Sequence, residues 1–281
     1  MLTTKTKVKI ARYLSKVIRV LRNAMGQSET AVVHRLGLNW SLDLKEGIDL
    51  AVYLNCYERS TLSCYNDVVL QGATVLDIGA NIGVHALYVA RLIGQHGQVV
   101  AIEPTAFAFE KMQINLGLNP NIKSRVTLCQ TMLMSAADRP LPDEVVSSWP
   151  LATAEPSKTA LSGAYRSTNG AGIETIDGLV ERLGLQRIDL IKLDVDGNEL
   201  EILKGATKTL SRYQPLIVME LCPYQHDQHT GSFSDLIQLV SEAGYSLFDI
   251  SSDKLISADP VQVEKSIPWG TGKNVLLRKR P

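Results

Sequence analysis

The sequence predicts an α/β protein built on a mostly parallel sheet covered by helices on both faces, with a helical N-terminal extension. Two observations carry this expectation. From Thr74 onward, short apolar runs alternate with amphipathic stretches of helical period. Acidic residues then close several of these runs: Asp77, Glu103, Asp194 and Glu220 stand at carboxyl ends of predicted strands, where open parallel sheets bind their ligands.

Taken in order, residues from about Lys7 to Met25 place Ile10, Leu14, Val17, Ile18, Leu21 and Met25 at helical spacing, with Lys9, Arg12, Lys16 and Arg19 largely around the other side. Such a basic amphipathic helix can make peripheral contact with an anionic membrane through residues 5–25. The favoured alternative docks it on its own domain with the basic face in solvent. Residues 1–37 are therefore set apart as an extension, and 38–281 as the main domain. Strand-like alternation from Leu38 to Leu44 turns at Gly47 and becomes helical. Val75–Ile78, Gln98–Ile102, Arg125–Cys129, Asp189–Leu193, Leu216–Leu221, Tyr245–Ile250 and Asn274–Leu277 read as strands. Gly83–Leu92, Ala106–Leu116, Ile173–Leu183, Glu199–Leu210 and Phe233–Ala243 read as helices. Residues 136–171, rich in Pro, Ser, Ala and Gly, lack periodicity and form a variable loop or insertion near the ligand edge of the sheet.

Composition narrows the function classes. The 281 residues carry zero formal net charge, which argues against a nucleic-acid surface. The balance is uneven: seven basic residues and no acid precede Glu29, leaving 22 basic and 29 acidic residues in the rest. Four scattered cysteines lack metal or disulfide spacing, which favours a reduced, cytoplasmic protein. No apolar run approaches the roughly 20 residues of a membrane span, and no secretory signal pattern is present.

The most regular stretch, "VLDIGANIGVHALYVAR" (75–91), has the pattern D-x-G-x-N-x-G, with Asp77, Gly79, Asn81 and Gly83. A dinucleotide loop would read G-x-G-x-x-G and present bare backbone to a pyrophosphate. A carboxylate at this turn repels phosphate and attracts an ammonium, which fits the α-ammonium and sulfonium of S-adenosylmethionine. Glu103, in "VVAIEP", is placed to accept ribose hydroxyls. The bland alternatives are a helix N-cap for Asp77 and a solvated turn for Glu103.

These residues, with "GQVVAIEP", "ETIDGLV", "IDLIKLDVDGNELEILKGA" and "PLIVMEL" in the same order, resemble the FkbM family of S-adenosylmethionine-dependent methyltransferases. The resemblance spans roughly Leu38 to Arg280. It implies the class I methyltransferase fold, a Rossmann-like sheet of about seven strands whose last is antiparallel. It also implies that Asp77, Gly79, Asn81 and Gly83 form the methionine-side loop and that Glu103 takes the ribose. Glu58, in "CYE", matches a family position that could cover the cofactor; an exposed helical acid is the alternative. Family members mostly methylate hydroxyls of sugars, glycolipids, polyketides and related natural products.

"IKLDVDGNELEILKGA" holds a second acidic cluster. Lys192, Asp194 and Asp196 alternate and so share one side of the strand end. Asp194 is a candidate for steering cofactor ammonium or acceptor hydroxyl, Asp194 and Asp196 are candidate Mg²⁺ ligands, and Asp196 is alternatively a helix cap. The family usually has Glu at position 196. The strand end lacks the N/D-P-P-Y/F stretch of amide and base-amine methylation, and no Pro-Cys motif for cytosine methylation is present, so an alcohol acceptor is favoured. An alkyl hydroxyl must lose its proton, and the candidate bases are Asp194, Glu220, His226 and His229. For the two histidines an exposed polar loop is the favoured alternative, and for His85 a packed surface site. The expected activity is S-adenosylmethionine-dependent O-methyl transfer to a small-molecule or glycan hydroxyl. The alternatives are a catalytically silent scaffold of the same fold and, disfavoured by Asp77, a nicotinamide oxidoreductase.

Overall fold

The computed structural model describes residues 4–152, 163–226 and 232–280. The chain opens with a long helix, α1 (Thr4–Ala24), followed by an antiparallel hairpin of β1 (Thr30–Arg35) and β2 (Leu38–Asp43). The tight link between these strands is Leu36-Gly37, both at positive φ. The boundary expected at 37/38 falls inside this hairpin. Trp40, Leu42 and Leu38 alternate inward from β2, so the hairpin is built into the main core.

Two helices, α2 (Gly47–Tyr53) and α3 (Arg59–Val68), lead into the repeating unit: β3 (Thr74–Ile78), α4 (Val84–Leu92), β4 (Gln98–Ile102), α5 (Ala106–Gly117) and β5 (Val126–Cys129). A stretch of short strands follows, β6 (Thr131–Leu133), β7 (Glu144–Ser148), β8 (Ala164–Ser167) and β9 (Gly172–Glu174). The chain then returns through α6 (Ile176–Arg182), β10 (Leu190–Leu193), α7 (Glu199–Lys204), α8 (Thr207–Tyr213) and β11 (Leu216–Leu221). It finishes with α9 (Pro223–His226), α10 (Phe233–Glu242), β12 (Tyr245–Asp249), α11 (Pro260–Ser266) and β13 (Lys273–Lys279).

Seven strands form one sheet in the order β12-β13-β11-β10-β3-β4-β5. All neighbours are parallel except β13, which runs antiparallel to β11 and β12. This is the class I methyltransferase arrangement, with the strand order reversing between β3 and β10. Both faces are buried, which explains the continuous apolar runs. Leu76, Ile78, Ile191 and Leu193 face α6, α7 and α10, while Val75, Val99, Ala101 and Leu190 face α3, α4 and α5. Period-2 alternation then fixes the parity of every polar residue at the carboxyl edge.

Three sequence expectations need correction. The helix read over Ile173–Leu183 begins as β9 and turns helical only at Ile176, where Thr175 caps α6 by accepting from the Gly178 N–H. The helix read over Glu199–Leu210 is two helices broken at Gly205, where a side chain would collide with the Met134 carbonyl. The 136–171 segment carries β7 and β8, paired as an antiparallel ladder. The N-terminal helix docks by an unexpected face: its apolar stripe points to solvent.

Candidate active site

The parity of the sheet assembles the site. Asp77 and Lys192 are cross-strand partners on β3 and β10, and Glu220 on β11 is level with Asn274 on β13. All four lie on the face that packs α3 and α4, and Glu103 follows Ala101 on the same side. The helix face supplies Glu58 and His85. Polar side chains from separate parts of the chain thus converge at the switch between β3 and β10.

Asp77 is 1 % exposed, and neither carboxylate oxygen has a hydrogen-bond partner. It lies within β3, and the N-cap of α4 is Gly83, so the capping alternative does not hold. Its nearest countercharge is the Lys192 Nζ at 3.7 Å. That same ammonium sits 3.3 Å from an Asp194 oxygen and donates to the Gly79 carbonyl at 3.1 Å. Burial pushes the Lys192 ammonium toward losing its proton, but Asp194, Asp77 and Glu58 outweigh it and hold the pKa above its ordinary value. Lys192 therefore stays charged and holds the two strand ends together. Its sequence signal is a lone charge inside the apolar run "LIKL", a position occupied only when the charge is paired.

The loop after β3 depends on close backbone approach. Gly79 has φ +76°, and a Cβ there would overlap the Asp194 carbonyl oxygen. Gly83 has φ +90°, with Leu87 and Met112 pressed against it. Asn81 also adopts positive φ, and its side chain is spent within the protein: Nδ2 donates to the Ser147 carbonyl at 2.9 Å, and Oδ1 accepts from the Ile82 N–H. Asn81 thereby ties the loop to β7.

Glu103 is 3 % exposed, which excludes the solvated-turn alternative. Its carboxylate accepts from the Asn81 N–H at 3.0 Å, the Thr105 N–H at 3.0 Å, the Thr105 hydroxyl at 2.5 Å and the Ser147 hydroxyl at 3.3 Å. Burial raises its pKa against these bonds. Two of its four donors are hydroxyls, the group that a ribose would present. Sequence reasoning missed Thr105 and Ser147: Thr105 is two residues from Glu103, but Ser147 arrives only through the fold of the insertion.

On the helix side, Glu58 precedes α3 at φ +28° and faces inward, unlike an exposed helical acid. Its Oε2 lies 3.4 Å from His85 Nε2 and accepts from Asn274 Nδ2 at 3.3 Å. Burial opposes ionisation, yet His85, Lys192 and Thr61 together hold the Glu58 pKa down at about 2. His85 is no surface group: it is buried, and its Nδ1 shares a 3.1 Å hydrogen bond with the Tyr65 hydroxyl. Tyr65, His85, Glu58 and Asn274 form one continuous polar chain behind the acidic cluster.

The second acidic run is only partly as expected. The strand alternation ends at Leu193, and Asp196 adopts φ +52°, so Asp194 stays with Lys192 while Asp196 turns to accept from Gln225 Nε2 at 2.8 Å. Asp196 does not cap α7, whose N-cap is Asn198; Glu199 instead accepts the Val195 and Gly197 N–H groups. Burial and then the Asp194 charge push the Asp196 pKa up to about 7. Burial, with Asp194, Glu58 and Asp196 nearby, raises Glu220 well above the carboxylate range. Asp194 is raised as well, by burial first, against the Lys192 charge. Among the described residues no three His, Cys, Asp or Glu side chains converge to hold a metal ion, and the two candidate Mg²⁺ ligands are engaged separately, Asp194 by Lys192 and Asp196 by Gln225.

His226 does not lie in an exposed polar loop. It is buried at the end of α9, with Nε2 3.2 Å from Glu199 Oε2 and its ring edge-on to Phe233. This imidazole is buried against Glu199, which itself accepts from the backbone of the β10–α7 turn. His229 lies outside the described residues.

Comparisons with known proteins identify the family of the chain. A sequence model described as the methyltransferase FkbM domain matches residues 77–247. The hexuronic acid methyltransferase AglP of Haloferax volcanii is 32 % identical over 175 residues, covering 60 % of this chain and 62 % of that protein. The methyltransferase sdnD of Sordaria araneosa is 29 % identical over 177 residues, covering 53 % of this chain and 66 % of that protein. The matched parts thus span just under two thirds of each relative's length. Among solved structures, the methyltransferase FkbM of Methylobacillus flagellatus superposes with a TM-score of 0.45 at 18 % identity, covering 79 % of this chain and 46 % of that one.

Proposed function

The chain belongs to the FkbM methyltransferase family, and we propose that it transfers the methyl group of S-adenosylmethionine to a hydroxyl of a sugar, glycolipid or polyketide-like small molecule. The observation that carries this reading is Asp77, a buried carboxylate with no hydrogen bond to either oxygen at the switch point of the sheet. Around it, among the described residues, the carboxyl groups of Glu58, Asp194 and Glu220 gather about a single ammonium, Lys192. A cleft with surplus buried carboxylate favours a cationic ligand and disfavours a pyrophosphate.

Bound here, S-adenosylmethionine would supply an electrophilic methyl group on a sulfonium centre. Asp77 and Asp194 are assigned to its ammonium end, Gly79 to the close backbone approach, and Glu103 to the ribose hydroxyls. Glu58 closes the cleft from the helix side, held in place by His85 and Asn274. Much of the acceleration in such an in-line displacement comes from holding donor and acceptor in register. Glu220 is assigned to accept the hydroxyl proton at its carboxylate. Burial raises its pKa, and positive charge brought in nearby would favour the ionised form that accepts a proton. The acidic lining also favours a hydroxyl over a carboxylate as the accepting group. A relative named for a hexuronic acid supports a sugar substrate.

The test is transfer of tritiated methyl from S-adenosylmethionine to fractionated sugars, glycolipids and natural-product extracts, with the labelled product then treated with alkali. Label in an alkali-stable, small-molecule ether is the expected result. An alkali-labile ester, or label confined to nucleic acid, contradicts the assignment.

A further inference from the structure

We propose that α1 is a membrane-surface helix that seats the enzyme on an anionic lipid bilayer through its outward apolar stripe. The inference rests on the orientation of the helix and is independent of the proposed methyl-transfer reaction. Amphipathic helices normally dock by their apolar side. Here the docked side is narrow and largely polar. Ser15 is buried and donates to the Leu44 carbonyl at 2.6 Å, and Ala11 and Ile18 pack against the small cluster of Ala31, Leu44, Leu50 and Leu151. Arg19 pairs with Glu29, and the Arg22 guanidinium donates to the Ser28 carbonyl at 3.1 Å. The helix is thus anchored by one small apolar contact and several polar ones.

The opposite side carries Ile10, Leu14, Val17 and Leu21 at i, i+4, i+7 and i+11, with Tyr13 and Val20 beside them. All six are exposed, Tyr13 at 70 %, Val20 at 60 % and Leu21 at 58 %, and Met25 just beyond the helix at 65 %. A contiguous apolar stripe of this kind on a helix marks an interaction surface. Its charge says which. Lys9 and Lys16 flank one edge of the stripe and Lys7 the other, all three exposed, and no acidic residue precedes Glu29. Two copies of this helix packed face to face would place lysines against lysines, whereas anionic headgroups complement them. The apolar side chains would enter the headgroup–acyl boundary, with Tyr13 suited to the interface itself. No helix among the described residues is long and apolar enough to cross the membrane.

The experiment is co-sedimentation of the full chain with phosphatidylglycerol–phosphatidylcholine vesicles and with phosphatidylcholine vesicles alone. It is repeated for V17D/L21D, which alters only exposed positions, and for K9E/K16E. Binding to the anionic vesicles, weakened about tenfold or more by either double variant and by high salt, is the expected result. Far-UV circular dichroism and size-exclusion chromatography accompany each variant. Absence of anionic-vesicle binding overturns the proposal, as does binding that V17D/L21D leaves unchanged. A wild-type dimer that V17D/L21D converts to monomer, without vesicle binding, would assign the stripe to a second copy of the chain and likewise overturn it.

Discussion

Gly79→Ala is the substitution that tests the construction of the site most sharply. At φ +76° an L-residue pays a conformational penalty of about 1–2 kcal/mol. The new methyl would overlap the Asp194 carbonyl oxygen, lie 3.1 Å from that carbonyl carbon and 3.2 Å from Val195 Cγ1. The first of these is backbone, so the end of β10 itself must shift, at a further cost of about 1–3 kcal/mol. The total expected loss of stability is about 2–5 kcal/mol. Gly72, with φ +77° and nothing within 4 Å of where a methyl would lie, isolates the conformational part. Gly72→Ala should therefore cost only about 1–2 kcal/mol. Urea denaturation measures both, and calorimetric titration with S-adenosylhomocysteine measures the consequence for Asp194. Gly79→Ala is expected to exceed Gly72→Ala in both stability loss and loss of ligand affinity. Equal stabilities for the two variants, with ligand affinity unchanged, would refute the close approach between the β3 and β10 ends.

Two other perturbations address the charges. Lys192→Met should destabilise by about 3–5 kcal/mol, because Asp77 and Asp194 lose their shared countercharge; adding Asp77→Asn should recover part of that loss in urea denaturation, and no recovery would deny the coupling. Glu46 is buried beside Arg166 and has its pKa raised to about 7, by burial first against the Lys111 and Arg166 charges. A carboxyl raised on folding stabilises fully below its unfolded pKa near 4 and loses that contribution as pH rises through about 7. Glu46→Gln should thus flatten the decline in stability between pH 4 and 7, by an amount on the order of 1–3 kcal/mol, and an unchanged profile would contradict the burial argument.

The sheet was legible in the sequence because its strands are buried on both faces and end in charges, a pattern that local composition records directly. Asp77, Glu103 and Asp194 could be singled out for the same reason. Other features depend on contacts that no local pattern encodes. Ser147 reaches Glu103 from 44 residues away, through an insertion whose strands β7 and β8 have no strong alternation. The Tyr65–His85–Glu58 chain joins the ends of two helices and a positive-φ residue. The break at Gly205 is set by the Met134 carbonyl, a tertiary contact that overrides a continuous helical pattern. The N-terminal helix shows the limit of amphipathic reasoning most clearly: the hydrophobic period located the helix, but the anchors Ser15, Arg19 and Arg22 decided which face is covered.

Everything proposed for the cleft turns on Asp77 holding a cationic, phosphate-free cofactor. The decisive measurement is calorimetric titration of the wild type and of Asp77→Asn with S-adenosylmethionine, with NAD as the comparison ligand. The wild type is expected to bind S-adenosylmethionine and not NAD. Asp77→Asn, still folded, is expected to bind it about tenfold or more weakly through loss of a charge-assisted contact. Equal affinity of the two proteins for S-adenosylmethionine, or preferential binding of NAD, would contradict the assignment.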